Sequence, residues 1–260
     1  MSNIVKREQQ DLALNTMPEG LEGVDVGNIS IPTAKLLQTT STELQDPDTD
    51  LKAGQLIHSM FLEKISDTFV PVKLHEDNVL FVPKNDADKQ RLKQVIKDKF
   101  GVELTDDDMS SMFICRAKDG KIGDRFGACA SCQLNKFHGN DKPLCTANIN
   151  VLAMFEGQDM PLVLRFSNTS FKHGKKLKDM LFMLGMSGKK IFSRKFKVVS
   201  TRKQENGNSW FEAVIKPAGN ATEEEFEQAQ ELYNMFKGYV ADVDIDTVAD
   251  VEIDGVESEY

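Results

Sequence analysis

The stretch FKVVSTRKQENGNSWFEAVIK (residues 196–216) consists of two alternating runs placed around Asn206-Gly207. β-Branched and aromatic residues suit a pleated strand, and Asn-Gly accepts the positive φ of a tight two-residue turn, so the stretch predicts a β-hairpin. On its second strand Trp210, Glu212, Val214 and Lys216 share one face, while Phe211, Ala213 and Ile215 share the other. On the first strand, traced back to Lys190, Phe192, Arg194, Phe196, Val198 and Arg202 alternate with Lys195, Lys197, Val199 and Thr201. Both faces carry charge. That pattern predicts an edge or strongly curved strand of a small barrel, with one side lining a groove.

Working outward, INVLAMF (149–155) and PLVLRFS (161–167) are apolar runs separated by a turn, and GQLIHSMF, TFVPVKL and NVLFVP read as further strands. Three segments have helical periodicity instead. DKQRLKQVIKDKF spaces Leu92, Val95, Ile96 and Phe100 on one stripe, predicted to pack on the sheet; HGKKLKDMLFML does so with Leu177, Met180, Leu181 and Leu184, capped by Thr169 or Ser170. TEEEFEQAQELYNMFKGYV opens with Thr222 and Glu225 in capping-box register and aligns Phe226, Ala229, Tyr233 and Phe236. The expected class is mainly β (α+β), with peripheral helices around a barrel. Residues 1–30 are polar and aperiodic and predict a flexible arm, 31–240 a single domain, and 241–260 a disordered acidic tail. No repeat with a period of 20 to 50 residues is present.

The 260 residues are 40% apolar, enough for a core. MSNIVKREQQ lacks the pattern of a secretory leader, and no apolar run approaches the length of a membrane span. The expectation is a soluble protein without membrane partners in a reducing cytoplasm, where clustered cysteines are more often metal ligands than disulfides.

Cys115, Cys129, Cys132 and Cys145 are separated by 13, 2 and 12 residues. A CxxC pair places two donors on one turn, and two further thiols complete the tetrahedral set that Zn2+ prefers; His138 is an alternative ligand. Two disulfides or four unpaired thiols are the competing readings. No HExxH accompanies the set, so the expected role is structural: Zn2+ staples an insertion at about 113–148 that is too loop-rich to bury a core alone.

The net charge of −9 conceals a strong asymmetry. The tail carries Asp242, Asp244, Asp246, Asp250, Glu252, Asp254, Glu257 and Glu259, ends in Tyr260, and has no base. Residues 161–203 carry twelve cations, Arg165, Lys172, Lys175, Lys176, Lys178, Lys189, Lys190, Arg194, Lys195, Lys197, Arg202 and Lys203, against Asp179 alone. Interleaved with Phe192, Phe196 and Trp210, they have the composition of a groove for single-stranded nucleic acid, in which cations neutralise phosphates and rings stack on bases. The alternative is ordinary: core phenylalanines and solvated lysines. The tail reads as a solubilising segment, or as an electrostatic competitor for the groove that also offers bait to partner proteins.

IPTAKLLQTTSTEL with GQL after it, CRAKDG…GACASCQLNKFHGNDKPLC and PLVLRFSNTSFKHGKKLKDML together resemble conserved blocks of a tailed-phage single-stranded DNA-binding protein family, over about residues 31–186. The resemblance implies an OB-like barrel with a zinc-ribbon-like insertion, and an acidic tail that recruits replication, recombination or transcription proteins in the cytoplasm of an infected host. The insert KNDADKQRLKQVIKDKFGVELTDDD and the terminal Tyr260 depart from that pattern. The expected function is non-enzymatic binding of single-stranded DNA. The alternative is a zinc-ribbon adaptor that binds a polymerase, DNA binding being secondary.

Overall fold

A computed structural model describes residues 30–46, 49–137, 142–205, 207–238 and 242–243. The arm at 1–29, His138, Asn206 and the tail beyond Val243 lie outside the described residues.

One long strand organises the molecule. β4 (Thr68–Phe81) is continuous where the sequence predicted two separate strands, because the polar residues His75, Glu76 and Asp77 between the apolar runs keep the ladder going. β8 (Thr146–Phe155) pairs antiparallel along nearly its whole length, with the register shifting between Pro71 and Lys73. Proline has no N–H to offer a ladder, and the irregularity falls beside it. β9 (Leu162–Phe166) pairs with β8. The other edge of β4 is shared: β10 (Arg194–Glu205) meets it only at Phe196 and Lys197, and β5 (Phe113–Ala117) pairs from Asn78 to Phe81. β11 (Asn208–Asn220) completes the predicted hairpin with β10, and Gly207 in the turn has a φ of 83°. Because β10 leaves β4 after two residues, the hairpin projects beyond the sheet as an arm.

The connectivity is a three-stranded meander (β4, β8, β9), then a helix, then a hairpin whose first strand returns to β4, which is the order of an OB-type barrel. Among the described residues the ladder does not close, since β9 and β11 do not pair. The N-terminal segment fills that gap. β1 (Ser30–Ile31) leads to Pro32, whose carbonyl accepts the Val163 N–H at 2.9 Å, and Thr33 bridges Val163 in parallel. After β2 (Ala34–Leu36), which pairs with β3 (Leu56–His58), the Gln38 side-chain amide takes over the role of a strand residue. Its Nε2 donates to the Phe211 carbonyl at 3.0 Å and its Oε1 accepts the Phe211 N–H at 2.8 Å. GQLIHSMF thus supplies only a three-residue strand, followed by a loop.

Three apolar clusters result. Inside the curled sheet, alternate residues of every main strand (Phe69, Ile149, Val151, Leu164, Phe166, Phe196, Val198, Ile215) meet Leu177 and Leu181 of α3 (Phe171–Met186). Gly174 fits here because a Cβ would stand 2.6 Å from the Phe166 Cβ. On the outer face Val70, Val72, Leu152 and Val163 are covered by Phe192 and by α4 (Glu223–Phe236), whose capping box at Thr222 and Glu225 forms as the sequence predicts. The third cluster gathers α1 (Asp86–Phe100), α2 (Asp106–Ser110) and the cysteine segment around Leu80, Ile96 and Leu134. α1 therefore packs against the Leu80 end of β4 and against β5 in the sheet, together with the cysteine segment.

The short pairs β6 (Ile122–Gly123) with β7 (Gly127–Ala128), and β1 with β12 (Asp242–Val243), finish the structure. Asp242 and Val243 are thus in a parallel pair with Ser30 and Ile31, where the sequence predicted disorder from residue 241 onward.

Candidate nucleic-acid interface and cysteine cluster

Glu212 organises the part of the predicted interface that the structure brings together. It sits on β11 facing the start of α3 and is 2% exposed. Lys172 Nζ donates to its Oε1 at 2.8 Å, His173 Nε2 lies 3.0 Å from Oε2, and the Trp210 indole N–H donates to Oε1 at 3.4 Å. Burial opposes ionisation of this carboxyl, but the hydrogen bonds from His173, Lys172 and Trp210 outweigh it and hold the group down to about 2. Lys203 is directly opposite Trp210 across the hairpin, with Arg202 opposite Phe211. A half-exposed indole fixed by a buried carboxylate is therefore flanked by exposed Lys203 on one side and Lys172, Lys175 and Lys176 of α3 on the other.

The remaining predicted contacts divide. Lys178 pairs with Glu76, Lys195 with Glu225 at 3.0 Å and Lys197 with Asp67 at 3.0 Å. Acids from outside the basic segment thus neutralise part of the charge that the sequence concentrates there. Lys175, Lys176, Lys189, Lys190, Arg194, Arg202 and Lys203 form no ion pair with any described residue. Phe192 and Phe196 are corrected from interface to core: they are buried under α4 and inside the barrel, and buried rings offer no face to a base.

Arg165 is corrected likewise. Its side chain is 6% exposed on the outer face of β9, where Nη2 lies 3.6 Å from Asp77 Oδ1, and Arg116 Nη2 lies 4.0 Å from Asp77 Oδ2. Asn148 and Asn150 of β8 are buried in the same polar patch. Beside it, burial pushes the His75 imidazole down to about 4, with Lys73, Arg165 and Arg116 adding to the effect against Asp77. The sequence reading missed this patch, although its signal was present: Asn148 and Asn150 alternate with Ala147, Ile149 and Val151, which marks a second face of different chemistry.

In the insertion, Cys115 is buried on β5, and Gly123 makes room for it, since a Cβ there would be 2.6 Å from the thiol sulfur. Cys129 and Cys132 share the turn after β7, in which the Cys132 N–H donates to the Ala128 carbonyl at 3.1 Å. The Cys145 N–H donates to the Leu134 carbonyl at 3.1 Å, bringing the fourth thiol back to the cluster. All four are free thiols. Burial, reinforced by Cys132, Cys115 and Cys129, pushes the Cys145 thiol up to about 12, so each of the other three lies within electrostatic reach of it. Among the described residues no group of three or more His, Cys, Asp or Glu side chains stands in an arrangement ready to hold a metal ion. The residue types nonetheless fit Zn2+, since four soft donors are gathered in one part of the insertion, and burial raises the thiols of Cys115, Cys129 and Cys145 so that they resist ionisation without a cation.

No helix among the described residues is long and apolar enough to cross a membrane. No curated protein and no solved structure matches the chain. A family model described as Pam3 phage gp34-like protein matches residues 7–241, from within the N-terminal arm to the end of α4 and beyond, and the chain belongs to that phage-protein family.

Proposed function

We propose that this protein binds single-stranded DNA without catalysing a reaction, and that the outer face of the hairpin and the exposed start of α3 form the contact surface. The observation that carries the reading is the Glu212 cluster. A buried carboxylate fixes Trp210 and Lys172 in place, next to Lys175, Lys176 and Lys203, whose charges have no partner among the described residues. Rings in such a setting stack on bases of any sequence while the cations take phosphates. The hairpin between the last two strands of an OB-type order is a place where such barrels hold oligonucleotides.

Cys115, Cys129, Cys132 and Cys145 would hold Zn2+, which when bound supplies a cross-link between β5, the CxxC turn and the start of β8. The protein residues then carry the insertion as a rigid platform beside α3. The acidic tail, of which Asp242 alone among its acids is described, supports a second part of the reading: residues 244–260 compete with DNA for the cations and recruit replication or recombination proteins of the infected host.

The test is a titration with oligo-dT, read by Trp210 fluorescence across a salt series. If Lys175, Lys176 and Lys203, the lysines of this surface without an ion-pair partner among the described residues, each release a counterion, the slope of log affinity against log salt is about −2, from a single-strand coefficient of about −0.7 per phosphate. A flat slope, or emission that ignores saturating oligonucleotide, removes the reading.

One observation favours the polymerase adaptor as a second reading: Ile122 and Phe137 on the cysteine insertion are 66% and 71% exposed. Deleting residues 244–260 separates the two. A single-strand binder keeps or gains affinity for oligo-dT without the tail, whereas an adaptor shows little affinity for oligo-dT with or without it.

A further inference from the structure

Two exposed apolar patches lie on separate elements, and the charges around them have opposite net signs. β9 carries the chain from the β8–β9 turn to the segment that opens α3, so the turn and the helix are separated by a five-residue strand, about 17 Å. At the helix end, Phe182, Met183 and Met186 are 65%, 67% and 72% exposed on the solvent face of α3, opposite Leu177 and Leu181 in the core. Lys175 and Lys176 stand before this patch and Lys189 and Lys190 after it, all exposed and none ion-paired with a described residue, and exposed Asp179 stands one turn before Phe182 and Met183.

At the turn end, the loop after β3 presents Met60 and Phe61, 59% and 60% exposed, followed by exposed Leu62. Acids outnumber bases near this loop: Glu63 follows it with Lys64 next, and Ser66 Oγ lies 3.5 Å from Glu156 Oε2 in the β8–β9 turn, which also carries Asp159 and exposed Met160. The loop is held in shape. His58 is 1% exposed, its Nδ1 accepts the N–H groups of Met60 at 3.2 Å and Phe61 at 3.3 Å, and its ring stacks on Phe61 at 4.5 Å. Leu62 takes a φ of 54°, a conformation that residues with a Cβ seldom adopt. A strained backbone that holds large apolar side chains out in water has no folding rationale, whereas preorganisation of this kind lowers the entropic cost of docking.

We propose that the Met60–Leu62 loop of one copy of this protein docks on the Phe182–Met186 face of α3 in the next copy. The apolar surfaces meet at the centre, with Glu63, Glu156 and Asp159 of one copy opposite the unpaired lysines of the other. A second copy is the favoured occupant because the net charges are opposite, lysines outnumbering Asp179 around the helix face and Glu63, Glu156 and Asp159 outnumbering Lys64 around the loop. An α3-to-α3 contact would instead bring lysines against lysines. The two surfaces differ, so the contact is heterologous and each added copy leaves a fresh surface open, which gives a chain of copies and not a closed dimer. The proposal does not depend on DNA binding.

The experiment is sedimentation velocity of the full-length chain over a concentration series in dilute salt, without nucleic acid, on the wild type and on Phe61→Glu and Phe182→Glu. Both residues are exposed, and circular dichroism verifies that each variant stays folded; Met60→Glu and Met183→Glu form a second pair if either does not. The expected result is growth past a dimer for the wild type and at least about tenfold weaker self-association for each variant alone. Mixing the two variants should restore pairing but stop at a one-to-one dimer, since each retains one intact surface. A wild type that remains monomeric or stops at a dimer, a Phe61→Glu variant that assembles as well as wild type, or a mixture that does not pair would overturn the proposal.

Discussion

Glu212 shows how one side chain can decide the chemistry of a surface. A carboxylate in the middle of an alternating strand looks solvent-facing, yet the start of α3 closes over it, and Lys172, His173 and Trp210 satisfy it. Its folded value of about 2 lies below the ordinary 4.5, so the stabilisation is fully present above 4.5 and is lost as pH falls toward 2. Glu212→Gln should therefore cost about 2 kcal/mol near neutrality, the scale of a charged hydrogen-bonded group, and the gap to wild type should close below about pH 4. Urea unfolding at a series of pH values measures this. A gap that persists unchanged at pH 3 would mean that the charge is not what matters. Trp210 emission should also lose its response to oligonucleotide in the variant, because the indole N–H loses its carboxylate acceptor. Arg165 makes the complementary point: a basic residue within a basic segment belongs to a buried ion cluster with Asp77, and its identity alone did not reveal this.

At the scale of elements, the cysteine insertion and the main sheet depend on different forces. The sheet has two apolar clusters of its own, whereas α1, α2 and the CxxC turn share a small set of buried residues around Ile96, Met109 and Leu134. A segment with so little core needs another source of stability, and on the proposed reading four thiols around one Zn2+ would provide it. Metal analysis should find about one zinc per chain. Chelation, or Cys145→Ser, should expose the amides of residues 86–135 to hydrogen exchange while the amides of β4, β8 and β9 stay protected. Protection that is identical with and without chelator would rule out a folding role for metal. The hairpin arm follows from the register: β10 pairs with β4 at two residues only, so its distal half has β11 as a neighbour on one edge and no strand on the other.

For the molecule as a whole, closure is the decisive event. The N-terminal segment bridges β9 and β11, first through backbone contacts at Pro32 and Thr33 and then through the Gln38 amide. Gln38→Ala should cost about 1–2 kcal/mol, the range for two partly buried hydrogen bonds, and should loosen the hairpin first. A lowered urea midpoint together with faster exchange at the Phe211 amide would verify this; an unchanged midpoint would show that the Gln38 amide does not hold β11 to the N-terminal segment. Much of the molecule was already legible in local pattern. The hairpin at 194–220, the strands β8 and β9, the capped helix at 223–236 and the clustering of four cysteines each depend on residues near one another in the chain, which makes period, turn chemistry and spacing sufficient to read them. The assignment of charge and aromatics was not legible in the same way. Whether Phe192 and Phe196 face solvent or core, whether Arg165 meets phosphate or Asp77, and which lysines lose their charge to Glu76, Glu225 or Asp67 depend on residues brought together from distant parts of the chain. The sequence by itself determined the mainly β class, the hairpin and the set of metal-ligand candidates, because these follow from short-range geometry. Only the tertiary structure decided which basic and aromatic side chains remain available to a partner, because burial and ion pairing are set by contacts that no local pattern encodes.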